Sequence, residues 1–477
     1  ERVAAKYGEI NQKNYNADNN AVVVMDPKTG GILAMSGSRD YFDETISGNF
    51  NASTAHRQPG STFKPIVYAA MFNKGFTPET ILFDLPTQFN SGCPADQLNS
   101  EDGCYAPSNY DDKNRGPMTV RNALAQSINV PAVKALYLAG INYSIGVAQS
   151  MGIEGLKDAK QYGLSLVLGG GEVSLLDMVT AYGVLANDGV KNPHNSVLRV
   201  ENQSGRVIDE YTPSPTEILP KDSARNISSI LSDNAARTPA YGSNSALYIP
   251  DRPVAVKTGT TNDYKDAWII GYTPGIVVGA WVGNNGNTPM EKKVAGFIVA
   301  PLWRELMDSI LPNVPYESFG PPPGIDPSLK PVLRGIWQGG NSSYQEDQFG
   351  GGQAIGGGVH DILYWVDKND PRGPAPSNPN SDPQFKNWEA SVRNWARSSG
   401  YGDGGVFIPA PATPAQTNPN LYIDPNTGYV VDRATGIVYD PVTGLPIGQI
   451  EPQPQVVPDD SVSNDSETRR NRKKNND

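Results

Sequence analysis

Apolar residues along this chain recur with two different periods, and each change of period marks an element. After a polar opening, AVVVMDPKTGGILAMSG (21–37) sets two apolar β-rich runs on either side of Asp26-Pro27-Lys28-Thr29-Gly30, which predicts a β-hairpin. Behind Pro59-Gly60, STFKPIVYAAMFNKG (61–75) turns to helical period and closes on Gly75, predicting a helix that begins near Ser61. Pro65 has no amide to offer the Ser61 carbonyl, so the first turn should be irregular where Ser61 sits. The run TVRNALAQSINVPAVKALYLA (119–139) is helical but broken around Asn129-Val130-Pro131, which puts Ser127 and Asn129 at a turn between two helices. A further helix, EVSLLDMVTAYGVLAND (172–188), follows Gly169-Gly170-Gly171. The segments PVAVKTGTT, DAWIIGYTP and IVVGAWVGN then read as strands, and VAPLWRELMDSI (299–310) as helix.

Helices in the middle with antiparallel strands at both ends give an α+β fold, an antiparallel sheet flanked by a helical cluster. Beyond residue 312 the composition turns to Pro, Gly, Asn and Ser, so the main domain is expected over 21–312, with residues 1–20 a linker or remnant. Residues 313–400 form a Pro/Gly-rich extension. Its aromatic-bearing pieces, HDILYWVDKNDPRGP and QFKNWEASVRNWARS, should dock on the main body. In 401–450, Asp424, Asp432 and Asp440 each open a D-x-x-T-G unit, an eight-residue period suited to short strands and tight turns. The polar stretch 451–477, with its basic end at Arg469 to Lys474, should be disordered.

Charge narrows the function. A net charge of −11 argues against nucleic acid as a partner, because a phosphate-binding face needs clustered Lys and Arg. The three histidines, His56, His194 and His360, show no metal-ligand spacing, so no metal or cofactor is expected. Cys93 and Cys104 lie in one turn-rich stretch, where a disulfide is easily closed and would indicate an oxidising, extracytoplasmic setting. No run of 18 apolar residues occurs, so no membrane span is expected within the chain.

Three motifs carry the chemistry: Ser61-Thr62-Phe63-Lys64, Ser127-Ile128-Asn129 and Lys257-Thr258-Gly259. Each is common alone, but here each falls in the element its task requires: a helix start, an interhelical turn and a strand. A serine hydroxyl needs a neighbouring base, and Lys64, three residues on, serves if burial and a nearby cation such as Lys257 lower its pKa. Ser127 can relay a proton between Lys64 and a leaving amine, and Asn129 can hold a peptide amide. The strand edge beside Gly259 can take an extended peptide. Lys257, Thr258 and Thr260 can bind a terminal carboxylate, and the amides of Ser61 and Thr260 can stabilise an oxyanion.

The combination resembles the signature of β-lactamases and penicillin-binding proteins. Arg57-Gln58-Pro59-Gly60-Ser61-Thr62-Phe63-Lys64-Pro65, with 165–189 and 257–274, is similar to class A penicillin-binding proteins in particular. The resemblance implies a β-lactamase/D,D-transpeptidase-like fold, with Ser61 as nucleophile, Lys64 as base, and Ser127, Asn129, Lys257, Thr258, Gly259 and Thr260 around the substrate. It implies as partners the D-Ala-D-Ala end of peptidoglycan stem peptides and β-lactam antibiotics. It also implies action outside the cytoplasmic membrane, with membrane association through an N-terminal anchor. The family's glycosyltransferase domain and anchor do not occur in these residues, which reads as truncation or a short relative. Competing readings are a β-lactamase using Glu172 to activate water, and a non-enzymatic β-lactam sensor or wall-binding module. A Ser-His-Asp hydrolase built on His56 lacks the G-x-S-x-G context, and the glycine run 169–171 lacks the G-K-[ST] of a nucleotide site.

Overall fold

A computed structural model of the chain describes residues 1–337, 344–346, 352–354, 358–401, 421–423, 430–432, 435, 437–439 and 446–449. The N-terminal hairpin, β1 (Asn19–Met25) and β2 (Ile32–Ser36), joins strands that arrive more than two hundred residues later: β3 (Ala255–Thr260), β4 (Asp266–Thr273) and β5 (Ile276–Gly283). All pairings are antiparallel and the order is β2-β1-β5-β4-β3, with Val23 opposite Gly279 and Trp268 opposite Gly259.

The central strands are buried on both faces, which explains why they read as continuous apolar runs and not as alternation. One face (Val23, Trp268, Ile270, Tyr272, Trp281) packs on the helical cluster. The other (Val22, Val24, Val256, Ile269, Val278) is covered by α1 (Arg2–Tyr15) and Trp303 of a later helix, Ala300–Ile310.

The helical cluster contains α2 (Lys64–Asn73), α3 (Val120–Ala125), α4 (Asn129–Ala139), α5 (Leu175–Ala186) and α6 (Asn234–Tyr241). Every residue of α5 is buried, and it lies so close to the sheet that a Cβ on Gly279 would come within 2.4 Å of Val179. Only glycine fits there. Cys93 and Cys104 are joined by a disulfide.

The chain forms two compact units, Glu1–Ile408 and Pro409–Asp477, so the Pro/Gly-rich extension from 313 belongs to the first. The first unit also holds α7 (Ala300–Ile310), and in the extension α8 (Phe385–Ser398) has its Trp388 fully buried in the core of the helical cluster. In the second unit four short strands, Leu421–Ile423, Val430–Asp432, Ile437–Tyr439 and Pro446–Gln449, pair in sequence order as an antiparallel meander. Most of the D-x-x-T-G turn residues and the whole basic tail lie outside the described residues. Among the described residues no helix is long and apolar enough to cross a membrane.

Candidate active site

Ser61 lies in a 3-10 turn, Gly60–Phe63, and the α-helix proper starts one residue later, at Lys64. Pro65 is the physical reason. With no amide at 65 to reach the Ser61 carbonyl, that carbonyl accepts from the Lys64 N–H instead, tightening the turn. Tyr182 of α5 fixes the turn from below, its hydroxyl donating to the Thr62 carbonyl at 2.8 Å. Gly60 has φ of +54°, and a Cβ there would come within 2.6 Å of the Thr260 carbonyl. One on Gly259 would come within 2.3 Å of the Pro59 carbonyl. Two glycines thus let the backbone of the Ser61 turn press against the K-T-G strand. Among the described residues that strand, β3, pairs only with β4 and leaves its other edge open.

Lys64 is fully buried, and its Nζ donates to the Ser127 carbonyl (2.7 Å), the Ile128 carbonyl (3.2 Å) and Asn129 Oδ1 (2.8 Å). The break between α3 and α4 falls at Ser127-Ile128, earlier than the proline suggests, because Pro131 is accommodated in the first turn of α4. Ser127 adopts a left-handed φ of +62°. This turn presents its carbonyls to Lys64 and the Ser127 Oγ to Lys257, whose Nζ donates to it at 2.8 Å. Asn129 is engaged at both ends of its amide, with Nδ2 donating to the Ser108 carbonyl at 3.0 Å. Thr258 Oγ1 and the Tyr241 hydroxyl are 2.9 Å apart, and Thr260 Oγ1 accepts from the Ala295 N–H at 2.9 Å.

Several supporting groups have no motif to announce them. Asn109 Oδ1 accepts from the N–H groups of Asn129 (3.0 Å) and Val130 (3.2 Å), capping α4 from a distant loop. Buried Asp84 holds Asn109 in turn, accepting from its Nδ2 at 2.7 Å. Arg237 of α6, also buried, lies close enough to Lys257 to act on it electrostatically. His56 is exposed.

Burial holds the Lys64 ammonium well below its ordinary range, and the neighbouring Lys257 lowers it further. Lys257 is itself pushed down to about 7, by burial and then by Arg237. A neutral lysine is a base and a charged one is not, so acylation should speed up as pH rises through the lowered Lys64 range, over limbs that belong to the coupled pair. Removing the Lys257 charge raises Lys64, moving its limb to higher pH. In Lys257→Met the pH–rate profile for penicillin acylation is therefore expected to shift alkaline. A shift to acid, or none, contradicts the assignment of Lys64 as the titrating base.

A family model described as the penicillin binding protein transpeptidase domain matches residues 20–308, the segment that carries all three motifs. The chain belongs to this transpeptidase-domain family. It is 36% identical over 306 residues to penicillin-binding protein 1A of Aquifex aeolicus, covering 64% of this chain and 39% of that protein. It is 32% identical over 311 residues to penicillin-binding protein 2D of Bacillus subtilis, covering 63% of this chain and 42% of the relative. The chain thus spans about two fifths of the length of the curated relatives it matches. Among solved structures it is similar to penicillin-binding protein 1A from Haemophilus influenzae, with 25% identity and a TM-score of 0.57 over 66% of this chain and 51% of that one. PonA1 from Mycobacterium tuberculosis gives 25% identity and 0.58 over 68% of this chain and 86% of that one. The mixed helical and antiparallel architecture expected from the sequence is that of this domain.

Proposed function

We propose that the domain over 20–312 is a serine D,D-transpeptidase, acylated on Ser61 by the D-Ala-D-Ala end of a peptidoglycan stem peptide and by β-lactams. The observation that carries this reading is Lys64, a fully buried lysine held below its ordinary pKa one turn from a half-buried serine, beside an open strand edge. The donor peptide adds to the free edge of β3, and its carboxylate meets the positive field of Lys257 and Arg237. Lys64 takes the Ser61 proton as Oγ attacks. The amides of Ser61 and Thr260 receive the oxyanion, and Ser127, bonded to Lys257, returns a proton to the departing D-Ala amine. Asn129 supports the reading by positioning Lys64. The Cys93–Cys104 disulfide supports an oxidising site of action, outside the cytoplasmic membrane and beside the wall.

The test is intact-mass analysis after benzylpenicillin, with peptide mapping, alongside D-Ala release from diacetyl-Lys-D-Ala-D-Ala. A long-lived adduct on the peptide containing Ser61, together with D-Ala release, is expected. No adduct, or rapid turnover of a chromogenic cephalosporin, would overturn the reading.

A further inference from the structure

A peptidoglycan stem peptide is carried on a glycan strand, and the groups assigned above hold only its free end. An open cavity of about 350 Å³ with no motif residue in its walls lies elsewhere in the first unit. Phe89, Ser91 and Tyr105 of the disulfide loop line one side of it, Gly163 and Ser165 another, and Gln384 of the extension a third. None of its lining residues carries a charge, although 19% of the chain does, so the cavity suits neither a phosphate nor a carboxylate.

These walls are held in place. The Phe89 N–H donates to the Tyr105 carbonyl at 2.8 Å, and Gln88 Oε1 accepts from the N–H groups of Asn90 (2.9 Å) and Tyr105 (2.7 Å). The Cys93–Cys104 bridge closes the same loop. Gln384, at the start of α8, donates through Nε2 to the Phe89 carbonyl at 2.6 Å, so the extension fixes the loop from behind. The Phe89 and Tyr105 rings lie 6.2 Å apart. Two lining side chains carry a buried polar atom that no group among the described residues meets: Gln384 Oε1 and the Tyr105 hydroxyl. Buried polar groups are ordinarily satisfied, and an exception asks for a partner.

Two of the walls also lead to the active site. Ser165 belongs to the 3-10 turn Leu164–Leu168, which packs on the Ser61 turn and on α4. Gly169, at the end of that turn, lies so near that a Cβ there would come within 2.4 Å of the Gly60 nitrogen. Tyr105 runs on to Ser108 and Asn109, which hold Asn129. Four residues of chain reach at most about 14 Å, so each wall lies within a short peptide's length of the groups around Ser61.

We propose that this cavity binds an N-acetylated sugar of the glycan strand that carries the donor peptide. The inference rests on the transpeptidase reading and extends its donor from peptide to glycan. The apolar face of the sugar ring lies on Tyr105, with Phe89 behind it. The acetamido N–H donates to Gln384 Oε1, and sugar hydroxyls meet the Tyr105 hydroxyl and Ser165. Aromatic rings, hydroxyls and amides without a charge match a neutral ligand that has an apolar face and a hydrogen-bonding edge. A stem peptide in the same place would leave its ionised groups without partners.

The experiment titrates the full chain carrying Ser61→Ala, which forms no acyl-enzyme, with the tetramer of N-acetylglucosamine and with the tetramer of glucose, and follows binding by calorimetry. Saturable binding of the first is expected, with the second about tenfold weaker for want of the acetamido group. Adding Tyr105→Leu should weaken the first by about tenfold as well. Gly163→Phe is the variant that spares the fold. Gly163 has φ of −107°, and a Cβ there meets no atom within 4 Å, so the new ring enters the open space without straining the turn. It should abolish binding while the melting temperature holds. No saturable binding, equal binding of the two sugars, or undiminished binding in Gly163→Phe would overturn the proposal. So would displacement of the sugar by diacetyl-Lys-D-Ala-D-Ala, which would put the sugar in the peptide groove. Penicillin labelling of the chain with Ser61 intact reports on the transpeptidase reading alone, so the two fail separately.

Discussion

Ser61→Ala is expected to take up no benzylpenicillin at any time or concentration, with a melting temperature matching the unsubstituted chain. The hydroxyl is half-buried, and among the described residues nothing hydrogen-bonds to it, so its removal strands no partner. Surface changes of that kind stay within about 0.5 kcal/mol. Lys64→Ala should behave differently. The acylation rate is expected to fall by roughly a hundred- to ten-thousandfold, the usual contribution of a positioned base. The same change also leaves the carbonyls of Ser127 and Ile128 and Asn129 Oδ1 without their donor in a buried site, at roughly 1–3 kcal/mol for each unmet group. The two variants thus separate chemistry from support: one is inert and stable, the other slow and weakened. Intact-mass kinetics and thermal unfolding measured on the same samples check both, and a penicillin adduct persisting in Ser61→Ala would end the assignment of the nucleophile.

Why Ser61 and Lys64 were readable in advance while their surroundings were not comes down to the range of the interactions. S-x-x-K, the irregular turn before Pro65 and the glycine in a strand are local features, set by residues within one turn of each other. The partners of Lys64 depend on a left-handed Ser127, and serine has no preference for that conformation that would reveal it. The cap supplied by Asn109, and Asp84 behind it, come from a turn-rich stretch whose polar residues look solvated until the fold buries them. The strands themselves were legible from β-branched composition. The closure of the N-terminal hairpin onto β5 was not, because nothing in either segment names its partner across so long a separation.

The extension past residue 312 has the proline and glycine content of a linker, and its aromatic pieces, which the pattern expects to dock, pack into the domain core: Trp388 is fully buried and meets Phe89 and Tyr137 edge-on. Lys134 shows the same point from the other side. It lies in the apolar run of α4 and is fully buried, with its counter-charge supplied by the extension.

Asp361→Ala is accordingly expected to destabilise the first unit by roughly 3–5 kcal/mol, the range for breaking a buried ion pair from one side. Asp361 and Lys134 are both inaccessible to solvent, with Nζ 3.0 Å from Oδ2, and Lys134 also lies 4.8 Å over the Trp388 ring. Without the carboxylate, α4 keeps a fully buried ammonium that has lost its ion-pair partner. That helix begins at Asn129, the residue that accepts from Lys64, so loosening it reaches Lys64. Penicillin acylation should slow together with the loss of stability. Pairing Asp361→Leu with Lys134→Met removes both charges, and much of the stability is expected to return, because replacing a whole buried pair by apolar side chains is often neutral. Urea unfolding of the single and double variants measures the difference. If the single variant unfolds at the midpoint of the original chain, the extension is a passive covering and not a brace for α4.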